Sequence, residues 1–149
     1  MNEITRGVIS IVGRLLLTTI FWMSAVGQKI PQFNEVTERM SGAGMPMPAV
    51  MLVGAIVFLI VGSGMIIFGY RARLGGLLLL VFLILATFYF HDFWNLEGEA
   101  QQREMIQFFK NLGLMGGMLL VIANGVGPLS FDARKEKKSA MNNSKREDR

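Results

Sequence analysis

The sequence has no cysteine and a single histidine among its 149 residues. The first absence excludes thiolate catalysis, disulfide exchange, iron–sulfur ligation and cysteine-built zinc sites within the chain. The second excludes haem held between two histidines of one copy. Charge is scarce too: 17% of residues are charged against 52% hydrophobic, oily for a soluble domain of this size. The net charge of +4 comes largely from the tail after Arg134, so it does not point to nucleic acid as a partner.

What is present is a set of long apolar runs. The clearest landmark is LGGLLLLVFLILATFYFHDFWN, residues 74–95, uncharged from Leu74 to Phe90. A run of about 17–25 apolar residues crosses a hydrocarbon core of about 30 Å. Its end is rich in aromatic residues, as at a membrane–water boundary, and carries His91 followed by Asp92; Arg71 and Arg73 flank its start. Three further spans are expected at about 8–26, 49–68 and 105–126. The first is interrupted by Arg14, and that arginine, with no clear A-x-A site, favours an uncleaved span over a signal peptide. Between the first two spans, Phe33, Val36 and Met40 recur at steps of three and four, predicting a short amphipathic surface helix. Gly42, Gly44, Pro46 and Pro48 end it.

The expected fold is therefore an all-α transmembrane four-helix bundle, residues 1–132, with a basic, disordered tail over 133–149. Arg6, Arg71, Arg73 and the basic residues of the tail fall on one side, against Lys29, Arg39, Arg103 and Lys110 on the other. That imbalance puts both termini in the cytoplasm. Gly62, Gly64, Gly75, Gly76, Gly113, Gly116 and Gly117 are the small positions expected to let helices approach closely.

In this topology Lys29, His91, Asp92, Lys110 and Asn111 gather near the outer face from the ends of three spans. Convergent polar groups at a bundle mouth make a ligand or partner site; the plainer alternative is that each sits at a span end, where charges ordinarily sit. Arg14 lies deeper and finds no acid in the second span or in the apolar part of the third. Its partners must be carbonyls, hydroxyls, lipid phosphate, a ligand or another subunit. Met23, Met40, Met45, Met47 and Met51 surround the same mouth. Thioethers bind Cu(I), but methionine is a common filler of apolar gaps, and no metal site is assigned.

Three strings taken together resemble the DoxX family of small bacterial membrane proteins: RLLLTTIFWMSAVGQKI, GYRARLGGLLLLVFLILATFYFHDFWN and FFKNLGLMGGMLLVIANGVGPLSFD. The most telling pieces are H-x-F-W at His91, K-N-L-x-L-x-G-G at Lys110 and G-x-G-x-x-S-x-D at Gly125. Carried over by position, the resemblance picks out Arg14, Lys29, Gly62, Gly69, Arg73, His91, Lys110, Asn111, Gly116, Gly117, Gly127, Ser130 and Asp132. It departs at Leu59, where many members resemble E-x-x-G-G, which weighs against a proton-coupled role.

The resemblance implies an accessory or anchor subunit of a redox-linked system, tied to quinone or to oxidative stress, in the bacterial inner membrane. Catalytic residues are not assigned and no turnover by the chain itself is expected. Quinone is the one cofactor the resemblance suggests; the partners are the lipid bilayer, membrane or secreted redox proteins, and further copies of the chain. Two alternatives stand beside it: a self-contained quinone-dependent oxidoreductase using His91 and Asp92, and a small carrier or membrane chaperone for a lipid or secreted cargo.

Overall fold

The computed structural model describes residues 2–147 and is helical throughout, with no strand among the described residues. Six helices follow in order: α1 (Glu3–Ser24), α2 (Phe33–Gly42), α3 (Pro48–Phe68), α4 (Ala72–Phe90), α5 (Gly98–Asn124) and α6 (Phe131–Glu147). Four helical segments are long and apolar enough to cross a membrane: Glu3–Lys29, Pro48–Phe68, Ala72–Asn95 and Gly98–Asn124. An even number of crossings returns the chain to the end where it started. The N- and C-terminal segments do meet there, with Lys137 Nζ donating to Glu3 at 3.2 Å.

Local chemistry explains most boundaries. Asn2 caps α1, its Oδ1 accepting from the Thr5 amide at 2.8 Å. Beyond Ser24 the first helix widens into a π turn over Ala25–Lys29. Proline at the first position of α3 lacks an N–H that would be unpaired anyway. Gly69 ends α3 with φ +64, and a Cβ there would lie 2.4 Å from that of Ser130.

Packing runs through α4, which lies between α3 and α5, with α1 against α3. Leu59, Ile66, Leu79 and Met118 are fully buried along this seam. Gly62 and Gly75 set the α3–α4 spacing: a Cβ on Gly75 would meet the Gly62 carbonyl at 2.7 Å. Gly76 faces Ile122 and Met118, and Gly117 faces Leu17. Gly64, Gly113 and Gly116, expected to be contact positions as well, have nothing within 4 Å. The outside is strongly apolar: Leu16, Phe88 and Leu120 are 72%, 70% and 66% exposed. Water would not tolerate such a surface, but hydrocarbon does.

Two expectations differ from what is seen. The tail from residue 133, expected to be disordered, runs as α6 with nearly every side chain solvent-exposed. The fourth span does not start near Met105 but is continuous with a polar stretch from Gly98, so two turns of helix project ahead of the apolar run.

Candidate functional site

The two ends of the bundle are built differently. At the end carrying the termini, Arg14 is only 5% exposed and supplies a clamp. Its Nε donates to the Ser10 carbonyl at 3.3 Å, and its two terminal nitrogens donate to the carbonyls of Ile67 and Leu129, each at 3.2 Å. The Ile67 carbonyl is among the last of α3 and has no partner further along its helix. Arg14 thus ties α1 to the end of α3 and to the α5–α6 loop. Ser10 Oγ, one turn earlier, donates to the Val126 carbonyl of the same loop. Asp132 completes the closure, accepting from the amides of Arg71 and Ala72 at 2.9 Å each, on the first turn of α4. Arg71 and Leu129 both have left-handed backbones, φ 48 and φ 60. Each is held by a clamp side chain, as strained positions need to be.

The opposite end is open. A cavity of about 610 Å³ lies between α1, α2, α3, α4 and α5. Its floor and walls are apolar, from Phe21, Met40, Leu52, Phe58, Phe82 and Leu83. Its polar lining is Ser24, Gln28, Lys29, Arg39, His91, Glu104, Gln107, Lys110 and Asn111. Of the sequence candidates, the cavity collects Lys29, His91, Lys110 and Asn111. Arg14 lies at the other end, engaged by backbone carbonyls, and Asp92 turns away from His91 to accept from Asn95 Nδ2 at 2.9 Å.

The partner of His91 is Glu104, with Nδ1 and Oε2 2.6 Å apart. That pair joins the end of α4 to α5 across the cavity rim. Sequence reasoning placed Glu104 in a loop and so missed it. Yet Glu104, Gln107, Asn111 and Leu114 recur at steps of three and four, the signature of one helix face. Deeper on that face, buried Asn111 donates from Nδ2 to Thr87 Oγ1 at 3.0 Å, satisfying a polar pair between α4 and α5. Lys110 is exposed and donates to Gln107.

Lys29 is placed by the π turn. The extra residue in that turn rotates Lys29 inward, where its Nζ donates to Ser24 Oγ at 2.6 Å and lies 5.3 Å from the centre of the Phe82 ring. Met40, Met45 and Met51 line the same space as apolar wall. No cluster of three or more His, Asp or Glu able to hold a metal occurs among the described residues. The arrangement can bind: it offers an apolar interior, a polar rim and cations at the mouth. It presents no nucleophile–base pair.

Comparison with known proteins identifies the relatives. Residues 2–138 match the SURF4 family. The inner membrane protein YphA of Escherichia coli is 27% identical over 129 residues, covering 87% of this chain and 91% of that protein. The ER-derived vesicles protein ERV29 of Saccharomyces cerevisiae is 25% identical over 144 residues, 85% of this chain but 46% of its own length. A Surfeit locus protein 4 homolog of Drosophila melanogaster is 27% identical over 88 residues, 58% of this chain and 31% of its own length. The chain therefore spans nearly all of the bacterial relative and less than half of these eukaryotic ones. No solved structure matches.

These matches overturn the DoxX resemblance: the family is SURF4. The structure shows what these motifs do here. G-x-G-x-x-S-x-D is the closure that caps α4, and K-N-L carries the buried Asn111–Thr87 bond. In this chain both motifs hold helices together.

Proposed function

The chain belongs to the SURF4 family, and we propose that it is a multi-pass membrane binding protein carrying a lipid or secreted cargo, without turnover of its own. The observation that supports this most is the open, apolar-walled cavity rimmed by Lys29, His91, Glu104 and Asn111. Small-molecule sites of about 300–1,000 Å³ share this make-up. The redox-linked accessory role rested on the DoxX resemblance and has lost that support. ERV29 is named for ER-derived vesicles and YphA for the inner membrane. By extension from YphA, this chain resides in a bacterial inner membrane. Its basic end, carrying Arg71, Arg73 and α6, faces the cytoplasm, and the cavity opens to the outside.

The test is a cavity-filling substitution. Ala55→Trp projects an indole into the cavity that Ala55 lines. Protein purified from native membranes in mild detergent is compared with this variant by native mass spectrometry and extraction. The wild type is expected to retain a stoichiometric lipid, quinone or peptide that the variant lacks. Identical retention by both would refute the reading. Stoichiometric recovery of a redox enzyme instead would restore the accessory-subunit alternative.

A further inference from the structure

Lys29 is a half-buried ammonium on the wall of an apolar cavity, and among the described residues it has no carboxylate partner. Its one hydrogen-bond acceptor is the neutral Ser24 hydroxyl, and the Phe82 ring offers only a weak cation–π contact. An ammonium carries three donors, so hydrogen-bonding capacity is left over. Burying a cation without a counterion is costly, whereas an anion delivered by a ligand would relieve that cost.

The rest of the lining has the same bias. Glu104 is the single acid in the cavity wall, and His91 already engages it. Arg39 and Lys110 stand exposed at the mouth, where they would attract an approaching anion. Beyond Lys29 the walls are Phe21, Leu52, Phe58 and Leu83. A cavity of about 610 Å³ admits a small molecule and not a folded domain.

We infer that this cavity binds a single-chain amphiphile whose anionic head, carboxylate or phosphate, sits on Lys29 while its apolar chain lies along the apolar walls that α1, α3 and α4 supply. The inference rests on the proposal that the cavity is a binding site, and it names the chemistry of the occupant. The π turn gains a reason: it costs helix geometry but turns the ammonium inward, and such turns are frequent at functional sites.

The experiment uses the full chain in dodecyl maltoside and a diazirine-bearing palmitate, with labelled residues mapped by mass spectrometry. Unlabelled palmitate, palmitoyl lysophosphatidate and hexadecanol compete for the site. The label is expected on Leu52, Phe58 or Leu83. Hexadecanol, with the same chain and no charge, should compete about tenfold less well than palmitate, the scale of one charge-assisted contact. Lys29→Met should weaken palmitate labelling about tenfold, and Lys29→Arg should stay within about threefold. Carboxylate and phosphate sources are separated by which anionic competitor is stronger, and either supports the inference. If Lys29→Met fails to fold, the hexadecanol comparison on the wild type decides alone.

Equal competition by hexadecanol overturns the inference, as does label confined to the lipid-facing Leu16, Phe88 and Leu120. Competition by a peptide with an apolar C-terminus but by no lipid would also overturn it. An occupant lost in Ala55→Trp yet indifferent to Lys29 sinks this inference and leaves cavity binding intact. No difference in Ala55→Trp sinks both.

Discussion

Removing the Arg14 guanidinium, with Arg14→Met, asks whether a buried cation in a span stabilises the bundle or burdens it. The cost side is the burial of an arginine at membrane depth, about 2.5–3.5 kcal/mol on insertion scales. The gain side is three charge-assisted hydrogen bonds, to Ser10, Ile67 and Leu129, at 3.2–3.3 Å. Such bonds contribute about 1.5–3 kcal/mol each, and these distances put them at the weak end, about 4.5 kcal/mol together. The difference, about 1–2 kcal/mol, leaves Arg14 net stabilising, and its loss also orphans the carbonyls it holds. For a chain of this length that is a fall of roughly 2–8 °C in Tm. Circular dichroism melts of both proteins in the same detergent measure it. Limited proteolysis should show earlier cleavage in Gly125–Ser130, the loop that Arg14 and Ser10 hold. Unchanged melting together with an unchanged cleavage pattern would refute the clamp.

Three other substitutions bear on the fold. Gly75→Val pushes a side chain into the Gly62 carbonyl and should lower stability by about 1–3 kcal/mol, whereas Gly64→Val, facing open space, should stay within about 0.5 kcal/mol; equal melts would refute the close approach. Asp132→Asn leaves one oxygen where two amides are now served and reduces the favourable charge at the α4 N-terminus, so a loss of about 1 kcal/mol should appear as a Tm lower by a few degrees. Asn111→Leu strands the Thr87 hydroxyl and should cost about 1–3 kcal/mol; adding Thr87→Val should restore most of that loss in a double-mutant cycle, because neither partner then remains unpaired.

The four spans were legible because apolar length over a hydrocarbon thickness is a one-dimensional property, readable without knowing which helix touches which. The start of α5 was not. Residues 98–104 are polar enough to read as a loop, and only the spacing of Glu104, Gln107 and Asn111 shows that the helix already runs there. The same oversight hid Glu104 as the partner of His91. Sequence adjacency favoured Asp92, but consecutive residues at a helix end point in different directions, and the ring reaches α5 instead. The convergence of Lys29, His91, Lys110 and Asn111 could be read from topology alone, since all four lie at the ends that the odd turns bring together. The inward turn of Lys29 could not, because the π turn that sets it has no distinct signature in AVGQK. α6 differs again. Its charged composition reads as disorder, yet it begins where Ser130 Oγ accepts from the Ala133 amide at 3.1 Å, a local cap at the helix start.

The contrast between the two ends constrains the kind of protein this is. Arg14, Ser10 and Asp132 draw α1, α3, α4 and the α5–α6 loop together at the terminal end. Between that closure and the cavity lie the fully buried Leu59, Ile66, Leu79 and Met118. The recess beside α6 at the terminal end, lined by Arg71, Arg73 and Lys135, shares no lining residue with the cavity. A conduit would need that seam to part, against a Gly62–Gly75 contact too close to loosen gradually and carbonyls that would lose their donors within hydrocarbon. The mouth end is held differently: by the His91–Glu104 rim pair, the buried Asn111–Thr87 bond, and apolar packing of α2 around Met40, Met45 and Leu52. If the cavity binds a ligand as proposed, exchange runs through the mouth, because the terminal end is closed by Arg14, Ser10 and Asp132.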